Sequence, residues 1–185
     1  MTVRDHRMGH VGAGVRELID AHYDSLYRYA FRLSGAAADA EDLTQEAFGK
    51  ALARLPQLRD PAKAKGWLFR ILRNAYLHRL RDQRRHKTVS LDGIGDLPDE
   101  PPNEPPVIDP ARLQEALNEL DEGFRTPLIL FYFEEFSYRD IADQMELPIG
   151  TVMSRLARAK AYLRAKLAPH AEPAADGPRR ATDGV

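Results

Sequence analysis

The stretch that decides the fold reads Ser137-Tyr138-Arg139-Asp140-Ile141-Ala142-Asp143-Gln144-Met145-Glu146-Leu147-Pro148-Ile149-Gly150-Thr151-Val152-Met153-Ser154-Arg155-Leu156. Ser137 with Asp140 three residues on is a capping-box pattern, which starts a helix. Ala142 is small where a second helix must cross the first, and ten residues later Val152 can fill the angle between them. Leu147-Pro148 breaks the chain, and Thr151 falls in the first turn of the next helix, where phosphate contacts are made. From Pro148 to Ala168 the charged residues are Arg155, Arg158, Lys160, Arg164 and Lys166, with no acid. The pattern is a helix-turn-helix with a wholly basic second helix. Many such motifs place Gly where Glu146 stands, and a non-Gly residue held left-handed there costs roughly 1 kcal/mol.

Upstream, Leu113, Leu117 and Leu120 open the C-terminal helical block, and Leu128 to Phe133 reads as a buried helix with Pro127 in or near its first turn. Before it, Thr88 to Pro110 holds six prolines, six acids and no Lys or Arg. Proline blocks helix and the acids repel, so 88–110 is expected to be a flexible, acidic, Pro-rich linker. The N-terminal block is helical by period: Ile19, Tyr23, Leu26, Ala30 and Leu33 share a face, and Gly35 ends the run. Asp39 is the expected N-cap of a second helix with a Leu43, Ala47, Ala51 stripe, closed by Pro56. A polar loop over 57–66 precedes a third helix from about Trp67 to about Arg85. Nothing alternates with period two, so the chain reads as all-α: two small helical domains, 15–87 and 111–168, the second with the helix-turn-helix. Residues 1–14 read as a loose leader and 169–185 as a disordered tail.

The third helix is the second basic element. From Lys63 to Lys87 there are nine Lys and Arg against one acid, Asp82. Trp67, Phe69, Asn74, Tyr76 and His78 are interleaved with them. Basic charge attracts phosphate without regard to sequence, and aromatics with Asn can stack on or bond an unpaired base. Trp67 taken alone reads equally well as a core residue.

Composition narrows the classes. Among 185 residues there is no cysteine, which excludes disulfides and thiolate metal sites. The net charge of −1 conceals two basic helices and an acidic tether. No apolar run approaches the ~20 residues of a membrane span, and the N-terminus has no signal-peptide core. A cytoplasmic protein is expected, with no membrane contact of its own and no cofactor or metal. Six scattered histidines, no His-x-x-x-His pair and no glycine-rich phosphate loop point away from an enzyme.

Four motifs in order resemble the extracytoplasmic-function (ECF) subfamily of sigma-70-type sigma factors: Asp39-Ala40-Glu41-Asp42-Leu43-Thr44-Gln45-Glu46-Ala47-Phe48; Gly66-Trp67-Leu68-Phe69-Arg70-Ile71-Leu72-Arg73-Asn74; Phe136 to Ala142; and Pro148 to Leu156. The resemblance covers about Leu18 to Leu167. It implies a sigma factor that joins core RNA polymerase and promotes DNA melting, reading minus-ten and minus-thirty-five elements. By resemblance, Asp42, Gln45 and Glu46 dock on the polymerase. Asn74 lines a pocket for a flipped minus-ten base, and Arg70, Arg73, Arg79, Arg81, Arg84 and Arg85 hold the DNA around it. In the helix-turn-helix, Ser154 and Arg158 match base-contacting positions, while Thr151 and Arg155 hold phosphate. An anti-sigma factor is a further implied partner. Met153, where many members have Lys or Arg, His78, where many have Asp, and the small Ala157 depart from the pattern and bear on which promoter is read. The rival reading is a stand-alone helix-turn-helix regulator that never touches polymerase. It leaves the 39–48 and 67–74 motifs without a purpose, and no heptad seam offers the dimer it would usually need.

Overall fold

The computed structural model describes residues 5–83 and 108–168, with side chains for residues 15–82 and 108–168. Among the described residues seven α-helices follow one another: α1 Asp5–Ser34, α2 Ala37–Arg54, α3 Ala64–Gln83, α4 Pro110–Glu119, α5 Glu122–Tyr132, α6 Tyr138–Met145 and α7 Ile149–Leu167. Two single 3₁₀ turns, Leu55–Gln57 and Pro61–Lys63, join α2 to α3. No strand occurs among the described residues. Most of the expected linker and all of the tail lie outside them.

Helix boundaries moved where local chemistry outweighed periodicity. The backbone of α1 is helical from Asp5, inside the stretch read as a loose leader. Extending a helix already nucleated by packing adds one hydrogen bond per residue fixed, which costs far less than starting one. Helix α2 begins at Ala37 with Ala36 as an uncapped N-cap, so Asp39 is a first-turn acid and not the cap. It still interacts favourably with the positive helix end. Helix α3 starts at Ala64, three residues early, because Asp60 caps the preceding turn by accepting from the Ala62 amide at 3.0 Å. Likewise Asp109 caps α4 through the Ala111 amide, and Pro110 is its first residue, where a missing N–H is harmless. The expected linker thus ends two residues sooner than its composition suggested.

Pro127 sits mid-way along α5 and not in its first turn. Proline cannot bond the carbonyl four residues back, which here is Gly123 O. Arg155 Nη1 of α7 donates to that carbonyl at 3.3 Å. Gly123 leaves room for it: a Cβ there would stand 3.2 Å from Arg155 Nη1.

Leu26, Tyr29, Ala30 and Leu33 of α1 pack against Leu43 and Ala47 of α2 and Leu68, Phe69 and Leu72 of α3, all buried. In the second block Leu117, Leu120, Phe124, Leu128, Ile129, Ile141, Val152, Leu156 and Ala159 do the same. The two blocks also touch. Their cores merge through stacked rings, Tyr29 on Phe69 at 4.8 Å and Phe69 on Phe136 at 5.2 Å. The Arg32 guanidinium lies 3.9 Å above the Phe133 ring, a further contact across the same boundary.

Candidate nucleic-acid interface

The helix-turn-helix is built from its own sequence. Ser137 Oγ accepts from the Asp140 amide at 3.2 Å, and Asp140 Oδ2 accepts in return from the Ser137 amide. Two orphan donors at the start of α6 are thereby satisfied. Glu146 then adopts φ 56°, ψ 45°, the left-handed turn the sequence required of it. The Leu147 amide donates to Ala142 O at 3.0 Å, closing α6. Pro148 supplies the N-cap of α7, its carbonyl accepting from the Thr151 and Val152 amides. Ala142 and Val152 are buried at the crossing, as their sizes demand.

With its inner face on α4, α5 and α6, α7 turns Ile149, Met153 and Ala157 outward. Met153 is 51% exposed, the most of any large apolar side chain described. Thr151, Ser154 and Arg158 flank this ridge, each half-buried; Ser154 Oγ donates back to Thr151 O at 3.0 Å. The Nε of Arg158 is buried with no hydrogen-bond partner among the described residues, so its guanidinium has bonding capacity left. Arg155 is turned inward instead, bracketing α5 through Gly123 O and lying 5.8 Å from the Phe124 ring centroid.

On α3, Arg70, Asn74, His78 and Arg81 step by four, four and three, and all are exposed on one stripe. His78 pairs with Asp82 at 3.3 Å when protonated. The remaining arginines face protein. Arg79 Nη2 meets Glu46 Oε2 at 2.9 Å, and its Nη1 stands 4.0 Å from Asp42. Arg73 Nε meets Glu122 Oε1 of α5 at 2.9 Å, with side chains only 12% and 17% exposed. Even exposed Arg70 donates to Asp143 O of α6 at 2.7 Å. Arg84 and Arg85 lie outside the described residues.

Asp42 and Gln45 are exposed on α2, while Glu46 is half-buried between Arg79 and Lys50. The Lys50 hydrogen bond, then that from Arg79, holds the Glu46 carboxyl below its ordinary range against a desolvation that opposes them. The residues expected to meet polymerase and those expected to meet DNA are therefore joined through Arg79.

Sequence reading missed Arg125. It is 6% exposed and donates to Leu33 O, Leu120 O, Asn118 O and Tyr76 Oη. Its partners lie as many as 92 residues away, beyond the reach of any local pattern. Burial lowers its pKa from the ordinary value, partly offset by Tyr76 and Glu122. No cluster of His, Asp and Glu among the described residues could hold a metal, and no described helix is long and apolar enough to cross a membrane.

Residues 18–86 match the family model for sigma-70 region 2, and residues 111–163 match that for sigma-70 region 4. The chain is 39% identical over 159 residues to the ECF RNA polymerase sigma factor SigE of Mycolicibacterium smegmatis, covering 83% of this chain but only 62% of that protein. Against the ECF sigma factor SigL of Mycobacterium tuberculosis it is 35% identical, covering 83% of this chain and 88% of SigL. A solved structure of the sigma factor RpoE in complex with the anti-sigma factor NepR, from Bartonella quintana, superposes with a TM-score of 0.67 at 30% identity, covering 82% of this chain and 95% of that one. A helix-turn-helix behind a second basic helical domain, with both family regions matched in order, places this chain in the ECF sigma factors, the non-enzymatic subunits that bring RNA polymerase to promoters.

Proposed function

We propose a division of labour in which α2 docks on core polymerase, the outer stripe of α3 takes the minus-ten element, and α7 reads the minus-thirty-five element. The observation that carries this reading is the exposed stripe of Arg70, Asn74 and Arg81, which pairs a base-sized polar group with cations spaced along one helix face. Asp42 and Gln45 are the polymerase contacts, with Glu46 positioned by Arg79 to complete them. Arg79 therefore serves α2 more than DNA. Arg73, Arg84 and Arg85 add phosphate contacts in the complex. On α7, Ser154 and Arg158 face base edges while Thr151 fixes register. Arg155 braces α5 and contributes to phosphate binding only if that brace yields. The functional units are 15–87 and 111–168, connected by 88–110.

An anti-sigma factor is a natural partner on this reading, because the similar RpoE chain was solved bound to one. The stand-alone regulator loses its ground, since both sigma regions are matched in one chain.

Replacing Asn74 by Ala tests the central assignment. Core polymerase should bind the variant as it binds the intact protein, while promoter opening, followed with a fluorescent base analogue in the minus-ten element, slows. Lost polymerase binding with unchanged opening per bound complex would show that α3 has been misassigned.

A further inference from the structure

We propose that Met153 is a specificity-determining residue of α7, whose side chain packs on the C5-methyl group of one thymine in the upstream promoter element. This deepens the reading of α7 as the minus-thirty-five reader and rests on it.

The outer face of α7 carries an apolar row. Val152, Leu156 and Ala159 are buried on the inner side of the helix. Ile149, Met153 and Ala157 step by four, so they share the opposite, solvent side. Ile149 is 43% exposed and Met153 51%. Apolar surface left in water forgoes the stabilisation that burial brings. A contiguous row of it, on a helix whose other side is already buried, marks a surface that a partner completes.

What borders the row sets the chemistry of that partner. Thr151, Ser154 and Arg158 run beside it, and the Nε of Arg158 has no hydrogen-bond partner among the described residues. From residue 148 to 168 the sequence has no acid. An apolar protein groove would leave this border unpaired, whereas the major groove of a duplex offers it phosphates and base-edge acceptors. Guanine, adenine and cytosine present hydrogen-bonding groups there, which an apolar side chain pressed against them would leave unsatisfied. Thymine adds a methyl group, the apolar feature the groove carries.

Of the row, Met153 has the reach. Ala157 ends at its own methyl, and Ile149 stands at the first helical position. The unbranched thioether chain of methionine fits itself to an irregular apolar surface. Gly150 leaves the first turn bare, with open space where a Cβ would stand, so nothing props the row away from the groove floor. Position along the DNA follows from helix geometry. Met153 and Arg158 are five residues apart, about 7.5 Å along the axis, and base pairs are stacked about 3.4 Å apart. The thymine therefore lies about two base pairs from the pair that Arg158 reads, toward the N-terminal end of α7.

The test uses the full chain bound to core polymerase. A preferred upstream element is first selected from a library randomised over that element. Each thymine in it, on either strand, is then replaced by deoxyuridine, which lacks the methyl and keeps every hydrogen-bonding group. Affinity is read by competition against the selected sequence. One replacement, about two base pairs from the position that Arg158→Ala relaxes, should weaken binding of the intact protein. The loss should be about fourfold, the effect of one buried methyl. The same replacement should be silent in Met153→Ala and should keep its effect in Met153→Leu, whose side chain stays apolar and of similar volume. Repeated selection with Met153→Ala should relax that position and leave the others unchanged. Because Met153 is exposed, both variants should fold, which circular dichroism checks. Deoxyuridine that is silent at every position in the intact protein overturns the proposal, as does a loss equally present in Met153→Ala. Met153→Ala that loses core polymerase while keeping the deoxyuridine effect would make the row a protein contact and overturn it too. Failure of the underlying reading looks different: the intact protein would then select no upstream sequence, which removes the assignment of α7 together with that of Met153.

Discussion

Helices α3 and α7 are both long, both basic and both expected to meet DNA, yet they meet the rest of the molecule differently. Helix α7 keeps Met153 and Ala157 open to solvent, turns Arg155 inward to brace α5, and pairs Lys166 with Glu119 of α4 at 2.7 Å. Helix α3 commits Arg73 to Glu122, Arg79 to Glu46 and Arg70 to a backbone carbonyl. A basic helix in sequence is therefore not the same thing as a basic surface in the fold. The outer face of α7 lies open, while three arginines of α3 are engaged by the protein itself.

The widest separation between the two helices should come from their inner faces. Phe69 of α3 stacks on Tyr29 and on Phe136, so it supports both cores. Phe69→Ala should cost about 3–5 kcal/mol in urea unfolding and should lower the protection of amides in both blocks. If only residues 15–83 lost protection in hydrogen exchange, the shared core would be refuted.

The outer faces should separate next. Arg158→Ala should weaken discrimination at one upstream base pair by about 1–3 kcal/mol, measured by competition with single-base variants of the selected minus-thirty-five element. A uniform loss across all sequences would instead make Arg158 a phosphate contact.

A smaller effect sits in the turn. Glu146 holds φ 56° without being glycine. Glu146→Gly should relieve roughly 1 kcal/mol of backbone strain and raise the Tm, with the upstream preference unchanged. A lowered Tm would mean that the Glu146 side chain contributes more than its backbone costs.

The finest effect is a pH dependence at the boundary between the blocks. Glu134 is 4% exposed, and burial raises its carboxyl pKa above the ordinary value, against the lowering influence of Lys65, Arg28 and Arg32. The folded state then binds this proton more tightly than the unfolded one, so the contribution to stability is complete below the unfolded pKa and is lost as pH rises through the folded value. Glu134→Gln should accordingly raise the Tm at neutral pH and converge with the intact protein near pH 4. An equal Tm difference at both pH values would remove burial of the charge as the cause.

Local signals made the helix-turn-helix legible almost residue by residue. A capping box joins residues three apart, the left-handed turn is a single residue, and the crossing joins Ala142 and Val152 ten apart. Helix boundaries were less legible, because Asp60 caps the turn before α3 and Asp109 caps α4, both several residues ahead of the apolar patterns that begin at Trp67 and Leu113. The block contact was not legible at all. Arg125 with Leu33, Arg73 with Glu122 and Lys65 with Glu134 join residues 49 to 92 apart. A solvated Arg and a buried one look alike in a sequence. The acidic 88–110 stretch was read as a linker between two helical domains, and a tether's composition says nothing about whether the bodies it joins also touch. The exposed trio Asp42, Gln45 and Asn74 was found through family motifs, and periodicity alone would have made it an ordinary polar surface.

The most direct test of the account is run-off transcription with core polymerase on a template library randomised at both promoter elements, comparing the intact protein with Asn74→Ala and Arg158→Ala. The intact protein should produce sequence-selected starts, Arg158→Ala should relax only the upstream element, and Asn74→Ala should reduce starts while leaving the upstream preference intact. No selected starts from the intact protein, or a variant that alters only the element assigned to the other helix, would contradict it.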